Sequence, residues 1–251
     1  MIRDRTTQHP VWVCEICGQI PWKMLSVLLG ALALGLGPAA GPIHAQTNPA
    51  SLPAVWFTVF AAEPIEGLEY ARQPAGPVVP LAFYPTARSP RHEYRGPQPL
   101  RLVETRTGTT VAEVAIPAGW REVLLLVASA SGGTGPHRYQ VTVLDDGPRQ
   151  RAAGQLRILN LSGLELSGDL NGRRIGIDPG LNPALSAGRS ARLTLRTSFR
   201  GRSYLSWHDT ITLGPAERAL LILFPPYLTG SLEVQTRVLL DEPPITATAP
   251  R

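Results

Sequence analysis

The sequence predicts an all-β protein in which two tandem β-sandwich-like domains follow an N-terminal signal peptide. From residue 46 onward, short apolar runs alternate with glycine, proline and Asn-Gly. This is the pattern of strands joined by turns. The same region lacks an apolar stripe of 3.6-residue period longer than two turns, so we expect no amphipathic helix. A weak internal repeat, described below, indicates two domains.

The leader, residues 1–45, contains an apolar run at Met24–Gly37. The run is shorter than the roughly 20 residues that a membrane-spanning helix needs. Prolines and small residues follow it, which favours a signal peptide cleaved between Ala45 and Gln46. The basic segment before the run is long and sparse, so an uncleaved anchor is the alternative. We expect an extracytoplasmic protein, periplasmic or secreted, with no transmembrane helix in its mature chain.

The positions of the cysteines and the distribution of charged residues exclude several classes of function. Cys14 and Cys17 both precede the apolar run, so a cleaved chain has no disulfide and no thiol nucleophile. A structural zinc site needs four ligands, and no second cysteine pair exists, so we expect neither a metal nor a cofactor. After residue 45 the chain has 21 arginines against 17 acidic residues, and the arginines are scattered. Nucleic acid is therefore not an expected partner, whereas an envelope protein, an anionic glycan or lipid head groups remain partners to consider.

Two kinds of strand are predicted. EVLLLVA and RALLILF are apolar throughout, as central strands covered on both faces are. The segments Arg138–Leu144, Ala191–Phe199 and Ser231–Leu240 alternate instead, as half-buried strands do. The residues expected to face inward are Tyr139, Val141, Val143, Leu193, Leu195, Phe199, Leu232, Val234, Thr236, Val238 and Leu240.

These strands form the internal repeat. In each half an arginine precedes a continuous apolar strand, an amphipathic strand follows, and an acidic pair beside proline ends the unit. The repeat predicts a first β-sandwich-like domain at 46–148, a linker at 149–153 and a second domain at 154–242. Residues 243–251 are predicted to be a disordered tail.

The segment SGDLNGRRIGI permits two interpretations. Asp169 and Asn171 could begin a calcium loop, but the twelfth position of that loop is Gly180 rather than the glutamate such a loop requires. Asn171-Gly172 suits the two positive φ angles of a type I′ turn. The sequence therefore predicts a hairpin here.

Catalytic chemistry has little support in the sequence. His92, His137 and His208 lack metal-ligand spacing, and no Gly-x-Ser-x-Gly motif occurs. The acidic pairs Asp145-Asp146 and Asp241-Glu242 lie at strand ends beside proline or glycine, where we expect solvated turn residues. We assign no catalytic residue.

The segment Tyr84–Leu100 is the one candidate recognition surface. Arginines alternate there with aromatic residues and prolines, and Arg and Tyr are enriched at protein interfaces. The candidates are Arg88, Arg91, Tyr94 and Arg95. A solvated crossover loop is the alternative interpretation.

Two motifs carry a resemblance. The order of ARS…YRGPQPL in the first half and RILNLSG…IDPG in the second resembles a group of two-domain exported β proteins of Gram-negative bacteria. The resemblance covers about Val55 to Leu240 and implies fold and export, but no activity is known for the group. Ile177 and Asp178 before Pro179 depart slightly from the group's pattern. The start of the second domain is also loosely similar to small β domains of exopolysaccharide-modification accessory proteins.

These observations favour an exported, non-enzymatic binding or assembly module of the periplasm or cell surface. The alternative is a hydrolase of envelope polysaccharide or an accessory protein of its modification. A buried carboxylate or histidine of shifted pKa in a cleft would favour the enzyme.

Overall fold

The structure is a computed structural model that describes residues 53–73, 76–130, 137–147 and 152–241. Residues 46–251 form one compact unit. The predicted leader, the tail at 243–251 and residues 149–151 of the predicted linker lie outside the described residues. We call residues 53–147 the first half and residues 152–241 the second half. The division into two domains at the linker stays a prediction.

The described residues form seventeen β-strands and no helix, so the predicted all-β fold is confirmed. None of the described ranges contains a helix long and apolar enough to cross a membrane. The first-half strands are β1 (Val55–Phe60), β2 (Leu68–Ala71), β3 (Val78–Pro80), β4 (His92–Tyr94), β5 (Leu100–Glu104), β6 (Thr110–Val114), β7 (Glu122–Ser129) and β8 (Tyr139–Asp145). The second-half strands are β9 (Gln155–Asn160), β10 (Leu166–Leu170), β11 (Arg173–Ile177), β12 (Gly180–Leu181), β13 (Leu185–Ser186), β14 (Ser190–Phe199), β15 (Arg202–Thr212), β16 (Ala219–Phe224) and β17 (Gln235–Leu240).

The two halves share one strand order. Each has two sheets, ordered β4-β1-β7-β8 and β3-β2-β5-β6 in the first half. The second half has β12-β9-β16-β17, with β13 also paired to β9, and β11-β10-β14-β15. In both halves the first strand runs parallel to the penultimate strand, which pairs antiparallel with the last. The repeat in the sequence therefore extends to the strand order of the whole half.

Each half has its own hydrophobic core between its two sheets. The first core contains the largest buried aromatic side chains, among them Phe57 and Tyr70. The second core is aliphatic and includes Leu156, Leu193 and Leu221. Face-to-face sheets with an apolar layer between them are the arrangement of a β-sandwich.

A third cluster, which we call the interface core, joins the halves. Strand β7 directs Val123, Leu125 and Val127 into the first core and Leu124 and Leu126 into the interface core. Strand β16 does the same in the second half, with Leu220 and Ile222 in the interface core. The prediction that both apolar strands are covered on both faces is therefore confirmed.

The interface core is built from equivalent positions of the two halves. Leu124 pairs with Leu144 across β7 and β8, and Leu220 pairs with Leu239 across β16 and β17. Phe60 pairs with Leu126 across β1 and β7, and Leu159 pairs with Ile222 across β9 and β16. All eight side chains belong to the cluster. Each half thus presents the same four register positions to the other, as the subunits of a two-fold dimer do.

Two inward assignments are wrong. Phe199 is exposed because it is the last residue of β14, beside the turn into β15. Leu240 is also exposed, and its neighbour Leu239 is fully buried in the interface core. The alternation in β17 was assigned to a single buried face, but both faces of this strand contact an apolar layer: Val238 packs on the second core and Leu239 on the interface core.

Candidate functional site

Two of the four residues proposed as a recognition surface are buried. Tyr94 is 6% exposed and belongs to the first core, and its hydroxyl donates a hydrogen bond to the Pro97 carbonyl. Burial raises the pKa of this phenol. The side chain of Arg88 is 11% exposed and forms ion pairs with Asp146 and Asp241. These two positions therefore serve the packing of the fold.

The other two candidates, Arg91 and Arg95, remain on the surface. The Arg91 guanidinium lies 4.7 Å from the centre of the Trp56 ring and 3.0 Å from Glu122 Oε1. Arg95 Nη2 lies 2.7 Å from Glu93 Oε1, and Arg72 pairs with the other oxygen of the same carboxylate. The first-half arginine surface is the name we give to Trp56, Arg72, Arg91, Glu93 and Arg95.

The electrostatics of this surface hold the arginines in place. Hydrogen bonds from Arg95 and then Arg72, with their positive charges, keep the pKa of Glu93 below its ordinary value. Arg91 is supported by a carboxylate on one side and by an aromatic face on the other, the geometry of a cation–π contact. Guanidinium groups fixed in this way can pair with carboxylate, sulfate or phosphate at a low cost in side-chain entropy.

His92 lies beneath this surface and is a packing residue. Its ring stacks on Phe57 at 5.3 Å and meets Tyr70 edge-on at 5.6 Å. Burial lowers the pKa of His92. The Tyr70 hydroxyl donates a hydrogen bond to the Glu93 carbonyl. The ring thus packs against aromatic side chains of the first core.

A cluster of two arginines and two aspartates bridges the halves. Arg88 lies 2.7 Å from Asp146 and 3.0 Å from Asp241. Arg218 lies 3.3 Å from Asp146 and also pairs with Asp241. We call these four residues the interface cluster. Each half contributes one arginine and one aspartate, and each aspartate contacts both arginines.

The interface cluster corrects the interpretation of the acidic pairs. The side chains of Asp146 and Asp241 are 11% and 14% exposed, so the prediction that they are solvated turn residues is wrong. The error arose because their partners are distant in sequence: Arg88 is 58 residues from Asp146, and Arg218 is 72 residues away. Glu242 lies outside the described residues. Asp145 fits the expectation of a turn residue, since its carboxylate accepts a hydrogen bond from the Gly147 amide.

A small cavity lies beside the interface cluster. It is lined by Arg88, Arg157 and Arg218 together with Leu124 and Leu220. Arg157 donates a hydrogen bond to the Asp145 carbonyl, and burial lowers the pKa of its guanidinium. The cavity has room for little more than a water molecule, so no organic substrate fits there.

The remaining histidines lie on the surface. His137 is exposed, and His208 is an exposed residue of β15 opposite Thr194. The adjacent Asp209 uses a carboxylate oxygen to accept a hydrogen bond from the Thr210 amide. Within the described part of the chain, no group of three or more His, Cys, Asp or Glu side chains has the geometry of a metal site.

The predicted hairpin at Asn171-Gly172 is confirmed. Strands β10 and β11 pair antiparallel, with Asp169 opposite Arg174 and Leu170 opposite Arg173. Asn171 and Gly172 have φ angles of 52° and 85°, as a type I′ turn requires. The Asp169 carboxylate accepts a hydrogen bond from the Gly172 amide at 2.6 Å, so it closes the turn.

The motifs that carry the family resemblance are parts of the framework. Ser89 Oγ accepts a hydrogen bond from the buried Val59 amide. A side chain at Gly96 would collide with the Tyr94 ring. Asn160 in RILNLSG is 2% exposed, and its amide oxygen accepts hydrogen bonds from the amide and the hydroxyl of Ser162. The Asn-x-Ser sequence at this position is therefore a buried turn and not an accessible glycosylation site.

Comparison of the chain with protein-family models and with curated protein sequences finds no match.

Proposed function

We propose that the chain is an exported, non-enzymatic binding module that recognises an envelope protein or an anionic glycan. The observation that supports this function is the first-half arginine surface. Arg91 and Arg95 keep about half of their side-chain surface exposed, at 52% and 42%, although carboxylates and a tryptophan ring hold them in place. Arg, Trp and Tyr are the residues that most often dominate binding energy at interfaces.

The position of this surface suits recognition. Strand β4 is an edge strand of its sheet, and it carries Glu93, the carboxylate shared by Arg72 and Arg95. Trp56 lies on the adjacent strand β1, opposite Glu93 in the register. Arg91 and Arg95 directly flank β4, and Arg72 directly follows β2, so each arginine adjoins a regular strand. Glu93 and Trp56, which hold them, lie on strands, and strands position side chains more rigidly than loops do.

The hydrolase alternative receives less support. A glycosidase needs two carboxyl groups about 5 to 9 Å apart on either side of a substrate. The buried carboxylates Asp146 and Asp241 each contact two arginines instead, beside a cavity too small for a sugar. These carboxylates join the halves of the fold.

Site-specific crosslinking tests the binding function. A photoreactive residue at position 91 is expected to capture a discrete partner in the exporting cell. Position 106 is the matched control, because Arg106 is exposed and first-half but lies outside the arginine surface. Equal products from both positions, or none from either, would argue against recognition at this surface.

A second assay tests the enzymatic alternative. The protein is incubated with envelope polysaccharide, and the release of reducing ends is measured. We expect no release above buffer. Release that is lost in a folded Asp146→Asn variant, with unchanged circular dichroism, but kept in Asp209→Asn would establish a hydrolase that uses the interface cluster.

A further inference from the structure

One end of the second half gathers exposed apolar side chains. Three hydrogen bonds show that three connections meet there. Thr197 on β14 bonds the Glu165 carbonyl, the Leu161 amide bonds Leu223, and the Val234 amide bonds the Ser206 carbonyl. The loop after β9, the β14–β15 turn and the loop after β16 therefore share one end of the sandwich. The large exposed apolar residues at this end are Leu161, Phe199, Tyr204, Leu205, Tyr227 and Leu228.

We call this region the apolar end. Tyr227 and Leu228 protrude furthest, at 85% and 67% exposed. Two prolines precede them, and a turn closes behind them with a hydrogen bond from the Ser231 amide to the Leu228 carbonyl. Soluble proteins seldom leave several large apolar side chains exposed in one place unless they contact a partner or a membrane there.

The same end carries three exposed arginines that have no ion-pair partner among the described residues. Arg196 lies opposite Leu205 on the outer face of the hairpin, and Arg200 and Arg202 lie at its turn. None of these three side chains forms an ion pair or a hydrogen bond with the described residues. Arg200 contacts the Phe199 ring at 5.1 Å. Asp178 and Asp209 are the exposed acids nearest along the chain, and Glu165 and Glu233 lie in the loops of this end. None of the four is paired with these arginines.

The exposed apolar side chains and the arginines together indicate what kind of partner the apolar end binds. Leu161, Leu205 and Leu228 have no hydrogen-bonding side-chain atoms, so they do not suit the hydroxyl groups of a glycan. Tyrosine and phenylalanine rings are favoured at the level of lipid head groups, where apolar side chains can also insert. Guanidinium groups pair with lipid phosphates. If the apolar run Met24–Gly37 acts as the predicted signal peptide or anchor, it also brings the chain to a membrane.

We infer that the apolar end binds the surface of a membrane rich in anionic phospholipid. Tyr227 and Leu228 insert among the head groups, and Arg196, Arg200 and Arg202 pair with phosphates. The inference concerns where the module is held, and it does not depend on the binding function proposed for the first half.

Vesicle co-sedimentation tests this inference. The chain 46–251 is used because it contains every described strand and all three cores in one compact unit, and because the apolar leader would bind vesicles itself. We expect binding to vesicles of phosphatidylglycerol and phosphatidylethanolamine, weakening with salt, and little binding to phosphatidylcholine. Replacing the three arginines by Gln should weaken binding about a hundredfold, since each cationic side chain near an anionic surface contributes about fivefold.

The apolar contribution has its own variant and controls. Tyr227→Ser with Leu228→Ser should weaken binding at least about tenfold, and circular dichroism should remain unchanged because both side chains are exposed. The charge control replaces Arg101, Arg106 and Arg121 by Gln, and the apolar control is the exposed Leu181→Ser. Equal losses in the controls would overturn the inference. So would binding to a soluble sulfated glycan without binding to the anionic vesicles.

Discussion

In the first half, six of the eight arginines form ion pairs with carboxylates: Arg72, Arg88, Arg91, Arg95, Arg101 and Arg138. In the second half Arg218 is the only one of ten described arginines that does so. The strand order is nevertheless the same in both halves. The difference therefore lies in the surface and not in the framework.

The contrast is greatest between two equivalent hairpins. Strands β5 and β6 have five residues each, and Arg101 pairs with Glu113 across them. Strands β14 and β15 have ten and eleven residues, and their hairpin carries Arg192, Arg196, Arg200 and Arg202. These four and Arg189, directly before β14, form no ion pair among the described residues. A shared strand order preserves the cores and the interface core, whereas exposed positions are free to acquire different chemistry. Differences between the halves are accordingly where binding functions are to be sought.

The largest expected loss of stability follows from a substitution in the interface cluster, to which both halves contribute. Arg218→Ala removes one arginine of the interface cluster, so Asp146 and Asp241 each lose an ion-pair partner. Removing one partner of a buried ion pair costs about 3 to 5 kcal/mol. Urea unfolding measures the free energy, and the exposed Arg121→Ala is the control, with an expected change below about 0.5 kcal/mol. Equal effects of the two variants would show that the interface cluster does not stabilise the fold.

Substitutions within the segment Tyr84–Leu100 distinguish a residue that stabilises the core from residues that only cover the surface. Tyr94→Ala should lower the free energy of unfolding by about 3 kcal/mol, because it removes a buried aromatic ring from the first core. Arg91→Ala and Arg95→Ala should each cost less than about 1 kcal/mol, since these ion pairs are exposed. A stable Tyr94→Ala variant would mean that this ring is not required by the core.

Local patterns made much of the fold predictable. Continuous apolar runs identified β7 and β16, and Asn171-Gly172 identified its hairpin. The interface cluster could not be predicted, because the arginine partners of Asp146 lie 58 and 72 positions away from it and no short-range pattern connects them. The apolar end was missed for a related reason: Phe199 fits an inward alternation, and only its position beside the β14–β15 turn shows that it is exposed.

The confirmed hairpin gives a smaller effect. Gly172→Val should destabilise the second half by about 1 to 3 kcal/mol, because φ at this position is 85° and a β-branched residue is strained there. Gly176→Val in the adjoining strand is the matched control, since its backbone is not left-handed and no atom lies near an added Cβ. Thermal unfolding of both variants measures the difference. Calcium should leave the melting temperature of the wild-type protein unchanged.

The smallest expected effect is a pH dependence of stability, which should depend on His92 in the first half and not on His208 in the second. The folded state lowers the pKa of His92 below its usual 6.5, so the unfolded chain binds a proton more strongly. Stability should therefore decrease as pH falls through 6.5, before Glu93 and Glu104 lose their stabilising charge below about 4.5. His92→Phe should remove the first decrease. His208→Phe, at an exposed position of β15, should retain it.

Chemical modification of arginine tests the contrast between the halves most directly. The folded protein is treated with phenylglyoxal, and mass spectrometry follows each arginine over time. We predict rapid modification of Arg189 and of the four arginines on the β14–β15 hairpin, and slow modification of Arg88 and Arg218. The rates of Arg72, Arg91 and Arg95 should lie between these. Equal rates across the two halves, or protection of the hairpin arginines in the isolated protein, would contradict this prediction. Either result would mean that the arginines of the two halves do not differ in ion pairing as described.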